Sequence, residues 1–328
     1  MKNKFKKSIL LLKTYFSKYT KSIKKYGFIY STEIFIGDII IQLIAHQIVC
    51  NSYLESLFFK RRHLIVKNAI LSNYGYIIKQ VQQTNNNFQD SIKNDGPIWF
   101  CWLQGENEMP KYVKLCYEAI KQNNSRKVNL ITMANYNKYI ELPNYITEKI
   151  QKGVFSYTFF SDILRVNLLY KYGGLWSDSR ILTTKSINEE YFNYKFFTIK
   201  NKPQNNWYVS NYRWTVGFMA CPPHSPILEI LKDVFSTYVK NEDFLLDYFL
   251  MDYVIAIAYE NNNEIKKILD IIPYNNEAFF ILGSNKNQVL NTLQNTTLYL
   301  LPKYNKSEFE KVLNDKSSLL NHILQSCN

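Results

Sequence analysis

Three charged residues near the middle of the chain have types and a spacing that could act together on one bound molecule. Asp162 and Arg165 stand three residues apart, and Asp178 follows a short apolar segment further along. Carboxylates and a guanidinium form charge-assisted hydrogen bonds, which are stronger than bonds between neutral groups. Each residue alone is also explained by a surface ion pair, a helix end or a solvated turn, but the ordered set favours a binding site.

A helix is predicted to carry the first two of these residues. Ser161 is a suitable N-cap, because its hydroxyl can accept a free N–H group of the first turn. Asp162 then lies in the first turn, where a negative charge suits the N-terminal end of the helix dipole. Since Asp162 and Arg165 are i and i+3 neighbours, they project from the same helical face.

A glycine pair and a short strand are predicted to follow this helix. Gly173 and Gly174 can adopt the left-handed backbone at which helices end. Leu175-Trp176 is an apolar strand, and Asp178 lies where that strand ends. Ligands of open α/β sheets bind beyond the carboxyl ends of the strands, so Asp178 is expected at a binding site beside the two helical residues.

The segment from residue 161 to residue 180 reads SDxxRxxxLxxxGG followed by an aromatic residue and x-D-x, and it resembles glycosyltransferases that carry a DXD motif. It is most similar to the capsular polysaccharide synthesis group, which is related to the α-mannosyl- and toxin-type sugar transferases. A second segment, PIWFCWLQG from Pro97 to Gly105, resembles the opening strand of that family and its W-x-Q-G-like turn. Because the two motifs agree in order and spacing, the resemblance extends over residues 96–260.

This resemblance implies an α/β fold, namely a GT-A-type, Rossmann-like nucleotide-sugar-binding domain with a single mixed sheet and a helical N-terminal extension. It implies a glycosyltransferase (a hexosyltransferase) that uses a nucleotide-diphosphate sugar, specifically a UDP-sugar, and retains the anomeric configuration. The acceptor would be a saccharide or a lipid-linked saccharide in the synthesis of capsule or another surface polysaccharide. The reaction would take place on the cytoplasmic side of the cell membrane.

The resemblance also implies which residues of the first motif bind the donor. Trp102 would stack on the nucleobase, and Gln104 would hydrogen-bond the edge of the base. Gly105 would let the backbone approach the nucleotide closely. Trp99, two residues into the predicted strand, is better explained as a core residue.

At the second motif, the resemblance assigns Asp162 and Arg165 to the donor sugar and Asp178 to the ribose, the sugar or a metal ion. Gly173 and Gly174 would let the strand approach the donor.

Two more acids lie in the sequence DYFLMDY, which is similar to a segment of capsule-type members. Asp247 and Asp252 could each contact the acceptor or be an ordinary acid on a helix surface, and Asp252 is retained as a catalytic candidate. His224, in a proline-rich turn, has the same two interpretations.

Arg180 stands two positions after Asp178, where the family often has a second acid that binds a divalent metal ion. We therefore expect that Mn²⁺ or Mg²⁺ at Asp178, if it is used, is held more weakly than in such relatives. Arg180 could instead bind phosphate oxygens of the departing diphosphate. Because alternate side chains of a strand point to opposite faces, Arg180 could equally point away and pair with a surface acid.

The sequence lacks the motifs of several other enzyme classes. It contains no GxGxxG, GxxxxGK or GxSxG, so neither a dinucleotide fingerprint, a P-loop nor a hydrolase nucleophile elbow is indicated. Its five cysteines show no CxxC spacing, which indicates reduced thiols in a cytosolic setting. A nucleotidyl- or phosphotransferase that uses the same acidic strand end is the alternative function.

Residues 1–95 are predicted to be a basic helical region, and residues 96–328 the glycosyltransferase domain. Residues 1–30 hold nine lysines and no acid, which is +9 of the net charge of +13 on the 328 residues. This segment suits peripheral contact with an anionic membrane, or is a solvated tail. No nucleic-acid partner is expected, because the basic residues are terminal. Residues 34–50 form the most apolar stretch, but it has a polar stripe and is shorter than the roughly 20 residues that span a bilayer.

Overall fold

The computed structural model describes residues 2–45, 52–84, 93–204, 206–283 and 295–325. The helices of this part of the chain are α1 (Lys2–Tyr26), α2 (Phe28–Ala45), α3 (Ser52–Thr84), α4 (Lys111–Gln122), α5 (Asn144–Gln151), α6 (Tyr157–Tyr172), α7 (Pro226–Asn241), α8 (Leu250–Asn261), α9 (Asn263–Asp270), α10 (Lys306–Asn314) and α11 (Leu319–Gln325). The strands are β1 (Ile98–Cys101), β2 (Val128–Ile131), β3 (Gly174–Ser177), β4 (Ile181–Thr183), β5 (Phe197–Thr198), β6 (Phe218–Cys221) and β7 (Leu298–Leu300). Short 3-10 turns cover Glu106–Glu108, Tyr136–Lys138, Glu189–Asn193 and Ile281–Gly283.

The larger sheet has five strands in the order β2-β1-β3-β6-β5. β1 runs parallel to both β2 and β3, whereas β6 is antiparallel to β3 and to β5. Trp99 of β1 lies opposite Trp176 of β3, and every residue of these two strands is buried. This arrangement confirms a mixed α/β fold with parallel strands. It brings the carboxyl ends of β1 and β3 to the same end of the sheet, beside the start of β6.

A second, two-stranded sheet corrects the expectation of a single sheet. β4 pairs antiparallel with β7, and Ile181 lies opposite Leu300. β7 comes from the C-terminal part of the chain, where the sequence pattern predicts no particular element. Pairing between short strands that are far apart in sequence leaves little local signal, so this sheet could not be inferred from periodicity.

Helix α6, which carries Asp162 and Arg165, begins more than one turn earlier than predicted. Ser156, and not Ser161, is the N-cap of α6, since its side chain accepts a hydrogen bond from the backbone N–H of Phe159. The hydroxyl of Ser161 bonds back to the carbonyl of Thr158 within the helix. Asp162 therefore lies in the second turn, where the N-terminal helix dipole does not account for its position. The apolar side chain of Phe159 extends the buried face of the helix toward its start.

Gly173 and Gly174 form the junction between α6 and β3. Gly173 has a φ of +62° and Gly174 a φ of +93°. A Cβ on Gly174 would lie 2.1 Å from the carbonyl oxygen of Pro97, and one on Gly96 would lie 2.4 Å from the nitrogen of Gly174. Asn94 bonds to both backbone polar groups of Gly174. The predicted helix stop is thus also a close crossing of two backbone segments.

Helix α8 begins at Leu250. Before it, the side chain of Asp247 accepts a hydrogen bond from the backbone N–H of Phe249 and fixes a turn. This turn presents Tyr248 and Phe249 to solvent on the same side of the molecule as the carboxyl ends of the parallel strands.

The N-terminal helices pack in succession on the rest of the fold. α1 contacts α2, α2 contacts α3, and α3 contacts α7 and α8. Ile70 and Tyr74 of α3 belong to the same hydrophobic core as the strands. The boundary predicted at residue 95 stays a prediction. Within the described ranges, no helix is both long and apolar enough to cross a membrane.

Candidate active site

A cleft of about 570 Å³ opens at the carboxyl ends of β1 and β3. Its walls come from the turn after β1, from α6, from the residues between β3 and β4, from the segment before β6, from the start of α8 and from the segment after β7. The polar and aromatic residues of its lining include Trp102, Gln104, Tyr157, Asp162, Arg165, Asp178, Arg180, Tyr208, Tyr248, Phe249, Asp252 and Lys303. The fold therefore brings most of the predicted site residues together from separate elements.

Arg165 joins two of these acids at the base of the cleft. Its Nη2 lies 2.9 Å from Oδ1 of Asp178 and 3.1 Å from Oδ1 of Asp162. Its Nη1 donates to the carbonyl oxygen of Val216, and the guanidinium carbon lies 5.0 Å from the ring centre of Trp176. Because the Arg165 side chain is only 4% exposed, one buried cation sets the positions of both carboxylates.

One carboxylate oxygen of Asp178 is hydrogen-bonded within the described part of the protein, and the other is not. Oδ1 accepts hydrogen bonds from Arg165 and, at 2.8 Å, from Nε1 of Trp176. Oδ2 accepts no hydrogen bond from the part of the chain that the structure describes, and the side chain is 41% exposed. Gly217 leaves room for this oxygen, since a Cβ there would lie 2.7 Å from it. Asp178 can therefore offer one oxygen to a ligand while the other holds its orientation.

Burial raises the pKa of Asp162 to about 7, because desolvation and the nearby Asp178 outweigh the opposing effect of Arg165. Near neutral pH, Asp162 therefore exchanges between a carboxylate, which accepts hydrogen bonds, and a neutral acid, which can also donate one. This state suits a group that contacts hydroxyl groups of a ligand.

Asp252 has a similar environment on the opposite wall, at the start of α8. Its Oδ1 accepts a hydrogen bond of 3.1 Å from Nε1 of Trp214. Burial raises the pKa of Asp252 to about 7, the Trp214 bond lowers it, and Asp162 raises it further. Because the negative charge of Asp162 raises the pKa of Asp252, ionisation of Asp162 favours the protonated form of Asp252.

Trp102 and Gln104, the residues assigned to a nucleobase by resemblance, both line the cleft. Nε1 of Trp102 donates to the carbonyl oxygen of Glu108 at 3.2 Å, which orients the indole ring. Gly105 is not part of the lining. Its φ of +95° and the hydrogen bond from its N–H to the carbonyl of Trp102 show that it forms the turn that follows β1.

Gly173 and Gly174 do not lie with the other predicted donor residues. They begin β3, whereas the cleft opens at its carboxyl end beyond Ser177. Their close contacts are with backbone atoms of Cys221, Pro223 and Pro97. Backbone crossing explains both glycines, so no role in donor binding is proposed for them.

Arg180 lines the cleft and pairs with no carboxylate among the described residues. Its Nη1 donates to the carbonyl oxygen of Leu301 at 2.6 Å, and its own carbonyl accepts from the N–H of Leu301 at 2.8 Å. The alternative of a surface ion pair is therefore wrong for this residue. Lys303, two residues after Leu301, is exposed and lines the same cleft, so two cations flank it from this side.

Asp247 is not available to an acceptor. Its Oδ2 accepts a hydrogen bond of 2.6 Å from Arg62 of α3, and its Oδ1 accepts from the N–H of Phe249. Arg62 also pairs with Asp38 of α2 at 2.7 Å, and all three charged side chains are buried. Asp247 therefore connects the N-terminal helices to the turn that carries the aromatic residues of the cleft.

His224 lies outside the cleft lining. Its φ is +59°, its N–H bonds to the carbonyl of Tyr170, and its ring packs edge-on against the ring of Tyr170. These contacts explain it as a turn residue.

Aromatic side chains at the mouth of the cleft were not predicted as site residues. Tyr157 is 53% exposed, Tyr208 and Phe249 are each 37% exposed, and Tyr248 is 64% exposed. Tyr248 and Phe249 lie inside the DYFLMDY segment, so attention to its aromatic residues as well as its acids could have identified them. Lys303 had no comparable signal, since only the pairing of β4 with β7 brings it to the cleft.

The donor set for a metal ion is small. The described residues include no group of three or more His, Cys, Asp or Glu side chains that could hold a metal ion. Among the described residues no hydrogen bond is donated to Oδ2 of Asp178, and the cations Arg165 and Arg180 line the same cleft. Because Mg²⁺ prefers about six oxygen ligands, these residues do not fit a divalent site built by the protein alone. The predicted Mn²⁺ or Mg²⁺ cofactor stays a prediction.

Comparison with known proteins places the sequence in one family. A family model described as “Capsular polysaccharide synthesis protein” matches residues 44–323. No curated protein matches the chain. Among solved structures, the chain is similar to one described as “PaToxG Glycosyltransferase”, with 17% identity and a TM-score of 0.38 over 64% of this chain and 83% of that one. A structural similarity of that size carries no argument about activity, whereas the family match covers most of the sequence.

Proposed function

Since this chain belongs to the family of capsular polysaccharide synthesis proteins, we propose that it is a glycosyltransferase. It transfers a sugar from a nucleotide-diphosphate donor, a UDP-sugar, to a saccharide or lipid-linked saccharide acceptor and retains the anomeric configuration. The observation that carries the proposal is the buried Arg165, which holds Asp162 and Asp178 together at the carboxyl ends of two parallel strands. The arrangement of the cleft supports a GT-A-type site, in which the donor binds beyond these strand ends.

The donor nucleotide binds on the β1 side of the cleft. Trp102 stacks on the nucleobase, and the exposed Gln104 hydrogen-bonds the edge of the base. Oδ2 of Asp178 accepts a hydrogen bond from a hydroxyl of the ribose or the sugar, and Asp162 accepts from the sugar. Arg165 acts as a positioning residue, because its guanidinium is buried and both of its terminal nitrogens already bond to the protein.

The departing diphosphate is stabilised by cations on the β4–β7 side. The side chain of Arg180 is held by the carbonyl of Leu301 and still has N–H groups to donate to phosphate oxygens. Lys303 adds a second positive charge from the same wall. When bound, a divalent ion would neutralise diphosphate charge near Asp178; the two cations supply part of that stabilisation, so transfer depends weakly on Mn²⁺.

The acceptor binds toward Asp252 and the aromatic mouth of the cleft. Tyr248 and Phe249 offer flat apolar surfaces to sugar rings. In the reaction, the bond between the anomeric carbon and the diphosphate oxygen breaks, and a bond to the acceptor oxygen forms. The acceptor hydroxyl gives its proton to the departing diphosphate. Asp252, in its carboxylate form, orients the acceptor hydroxyl by accepting its hydrogen bond.

We place the reaction at the cytoplasmic face of the cell membrane, where the basic N-terminal helices make peripheral contact.

A calorimetric binding screen tests the activity. Nucleotide-diphosphate sugars and nucleoside triphosphates are titrated into the protein with and without Mn²⁺, and hydrolysis products are then identified. We expect a UDP-sugar to bind with a Kd below about 1 mM and to release UDP slowly in the absence of acceptor. Asp162→Ala should weaken this binding. Turnover of a nucleoside triphosphate without binding of any nucleotide-sugar would favour a nucleotidyl- or phosphotransferase instead.

A further inference from the structure

The outer side of α2 and α3 carries large apolar side chains that the protein leaves in water. On α2, Ile29 is 73% exposed and Ile36 is 49% exposed. They are seven residues apart, with Glu33 between them at i+4, so all three lie on one helical face. An exposed apolar stripe of this kind marks an interaction surface more often than an isolated exposed residue does.

α3 continues the stripe with the same period. Leu57 is 46% exposed, Leu64 is 56% exposed and Leu71 is 39% exposed, at intervals of seven residues. Tyr53, one turn before Leu57, is 70% exposed. Arg61 lies between Leu57 and Leu64 at i+4, so it projects from this face as well.

An ion pair shows that the two stripes lie on the same side of the molecule. Arg61 Nη2 bonds to Oε1 of Glu33, and the Arg61 side chain is 71% exposed. Since Glu33 shares a face with Ile29 and Ile36, and Arg61 shares a face with Leu57 and Leu64, the pair joins the two stripes. We call this surface, formed by Ile29, Ile36, Leu57 and Leu64, the α2–α3 face.

The face belongs to a basic part of the chain, although α2 itself has two acids and no lysine or arginine. Residues 1–84 hold fourteen lysines and arginines against three acids, so they carry +11 of the net charge of +13. Two of the three acids are neutralised inside the protein, since Glu33 pairs with Arg61 and Asp38 is buried against Arg62 and Lys18. On α3, Lys67 pairs with Glu260, whereas the exposed Lys60, beside Arg61, pairs with no acid among the described residues.

The lysines of α1 are less available than its composition suggests. Lys18 pairs with Asp38 at 2.8 Å, Lys21 donates to the carbonyl of Asp243 at 3.2 Å, and Lys25 lies 3.5 Å from Glu242. These lysines fasten α1 to the protein. Over residues 13–26, these contacts and the packing of α1 on α2 correct the view of the segment as a solvated tail.

We infer that the α2–α3 face is a docking surface for an anionic lipid bilayer, on which the two helices lie with Ile29, Ile36, Leu57 and Leu64 in the interface. Apolar side chains insert below the headgroups, while surrounding lysines and arginines attract anionic lipids. This inference rests on the proposed membrane contact and names its surface; it does not depend on the sugar transfer. The positive charge favours a bilayer over a second copy of this chain, which would bring like charges together.

Vesicle sedimentation tests the surface. The full chain is mixed with vesicles of phosphatidylglycerol and phosphatidylethanolamine, or of phosphatidylcholine alone, and compared with the triple variant Ile36→Gln, Leu57→Gln, Leu64→Gln. We expect the triple variant to lose binding to the anionic vesicles by at least about tenfold. The control is Ile271→Gln, Tyr274→Ser, which alters exposed apolar residues away from this face (72% and 51% exposed) and should bind as the wild type does.

A second measurement does not depend on the triple variant being folded. In Ile36→Trp, the added indole should be quenched by lipids brominated on their acyl chains more than in the wild type, whereas Ile271→Trp should add no quenching. Equal vesicle binding by wild type and triple variant, or no added quenching in Ile36→Trp, would overturn the inference. So would a wild-type dimer in solution that the triple variant dissociates. A wild type that sediments with anionic vesicles through this face but binds no nucleotide-sugar would overturn the proposed transfer and support the docking surface.

Discussion

Nη2 of Arg165 donates to Oδ1 of Asp178 at 2.9 Å, and this bond ties the third turn of α6 to the residue that follows β3. The guanidinium is buried, whereas the carboxylate is 41% exposed. A buried cation thus points an acid outward into the cleft. Removing the cation would leave a carboxylate without its charge partner, so the pair acts as a unit in stability and in ligand binding.

We predict that Asp178→Asn and Asp162→Ala each abolish most of the transfer activity while the protein stays folded. Each change removes a charge-assisted contact to the donor, and the loss of such a contact in the transition state costs about 2–4 kcal/mol, or about 30- to 1000-fold in kcat/KM. Steady-state kinetics and thermal unfolding measure the two effects. Asp233→Asn, which alters an exposed acid on α7 paired with Lys232, is the control and should retain full activity. Near-normal turnover in either site variant would remove that residue from the site.

Arg180→Gln is expected to lower kcat/KM by about 10- to 100-fold, because the side chain supplies charge to the departing diphosphate. Wild-type activity should fall little in EDTA, and Arg180→Asp should gain a requirement for Mn²⁺. Transfer assays with and without chelator measure both effects. Lys185→Gln changes an exposed lysine just after β4, outside the cleft lining, and serves as the control. If the wild type loses activity in EDTA and recovers with Mn²⁺, the metal is essential and the role given to Arg180 is wrong.

Asp252→Asn should make the protein more stable at pH 8 and less active. The pKa of Asp252 is raised from 3.8 to about 7, so between these values the folded state binds more protons than the unfolded state. The free energy of unfolding therefore falls as pH rises through this window, and the full cost of the buried charge is present above pH 7. An asparagine removes that cost and keeps an acceptor for Trp214.

The expected gain is about 1–3 kcal/mol at pH 8 and should shrink as pH falls toward 4. Urea unfolding of wild type, Asp252→Asn and the control Asp233→Asn across this pH range measures it. A gain that does not vary with pH would mean that the charge of Asp252 is not its source.

Alanine at two glycines should separate a structural from a functional role. Gly174→Ala places a Cβ 2.1 Å from the Pro97 carbonyl at a φ of +93°, and we expect it to destabilise the protein by more than about 3 kcal/mol. Gly217→Ala meets the movable Oδ2 of Asp178 at 2.7 Å. It should keep the fold but lower kcat/KM by about tenfold, because the carboxylate is displaced.

The control for backbone strain is Gly153→Ala, whose φ is +69° and whose Cβ would meet nothing within 4 Å. It should cost only about 1–2 kcal/mol. If Gly174→Ala were as stable as this control and instead raised KM, the glycine would belong to the donor site after all.

The segment from residue 161 to residue 180 could be interpreted from sequence because the patterns that define it involve residues close together in the chain. The i, i+3 pair of Asp162 and Arg165, the glycine stop and the strand before Asp178 all follow from neighbours in the chain. The predicted start of α6 at Ser161 was wrong, because the buried Phe159 belongs to the helix and Ser156 caps it.

Other parts of the site depend on contacts that no local pattern encodes. The tie between Arg180 and Leu301 joins residues 121 positions apart, and the bond between Arg62 and Asp247 spans 185 positions. Sequence alone left two orientations for Arg180 and two interpretations for Asp247. In each case the partner that decides the question comes from a different region of the fold.

The pairing of β4 with β7 has a consequence for the order in which the molecule is completed. Residues up to Cys221 contain all strands of the larger sheet, and α6 already presents Asp162 and Arg165 beside Asp178. The side of the cleft that carries Arg180, however, forms only when Leu298–Leu300, from late in the chain, pairs with β4. Pairings between distant segments are slow to form, and the N-terminal side of a chain folds first during synthesis. A nascent chain therefore brings Asp162 and Asp178 together before β7 arrives beside Arg180. The side of the cleft that carries Arg180 is therefore completed after the side that carries the acids.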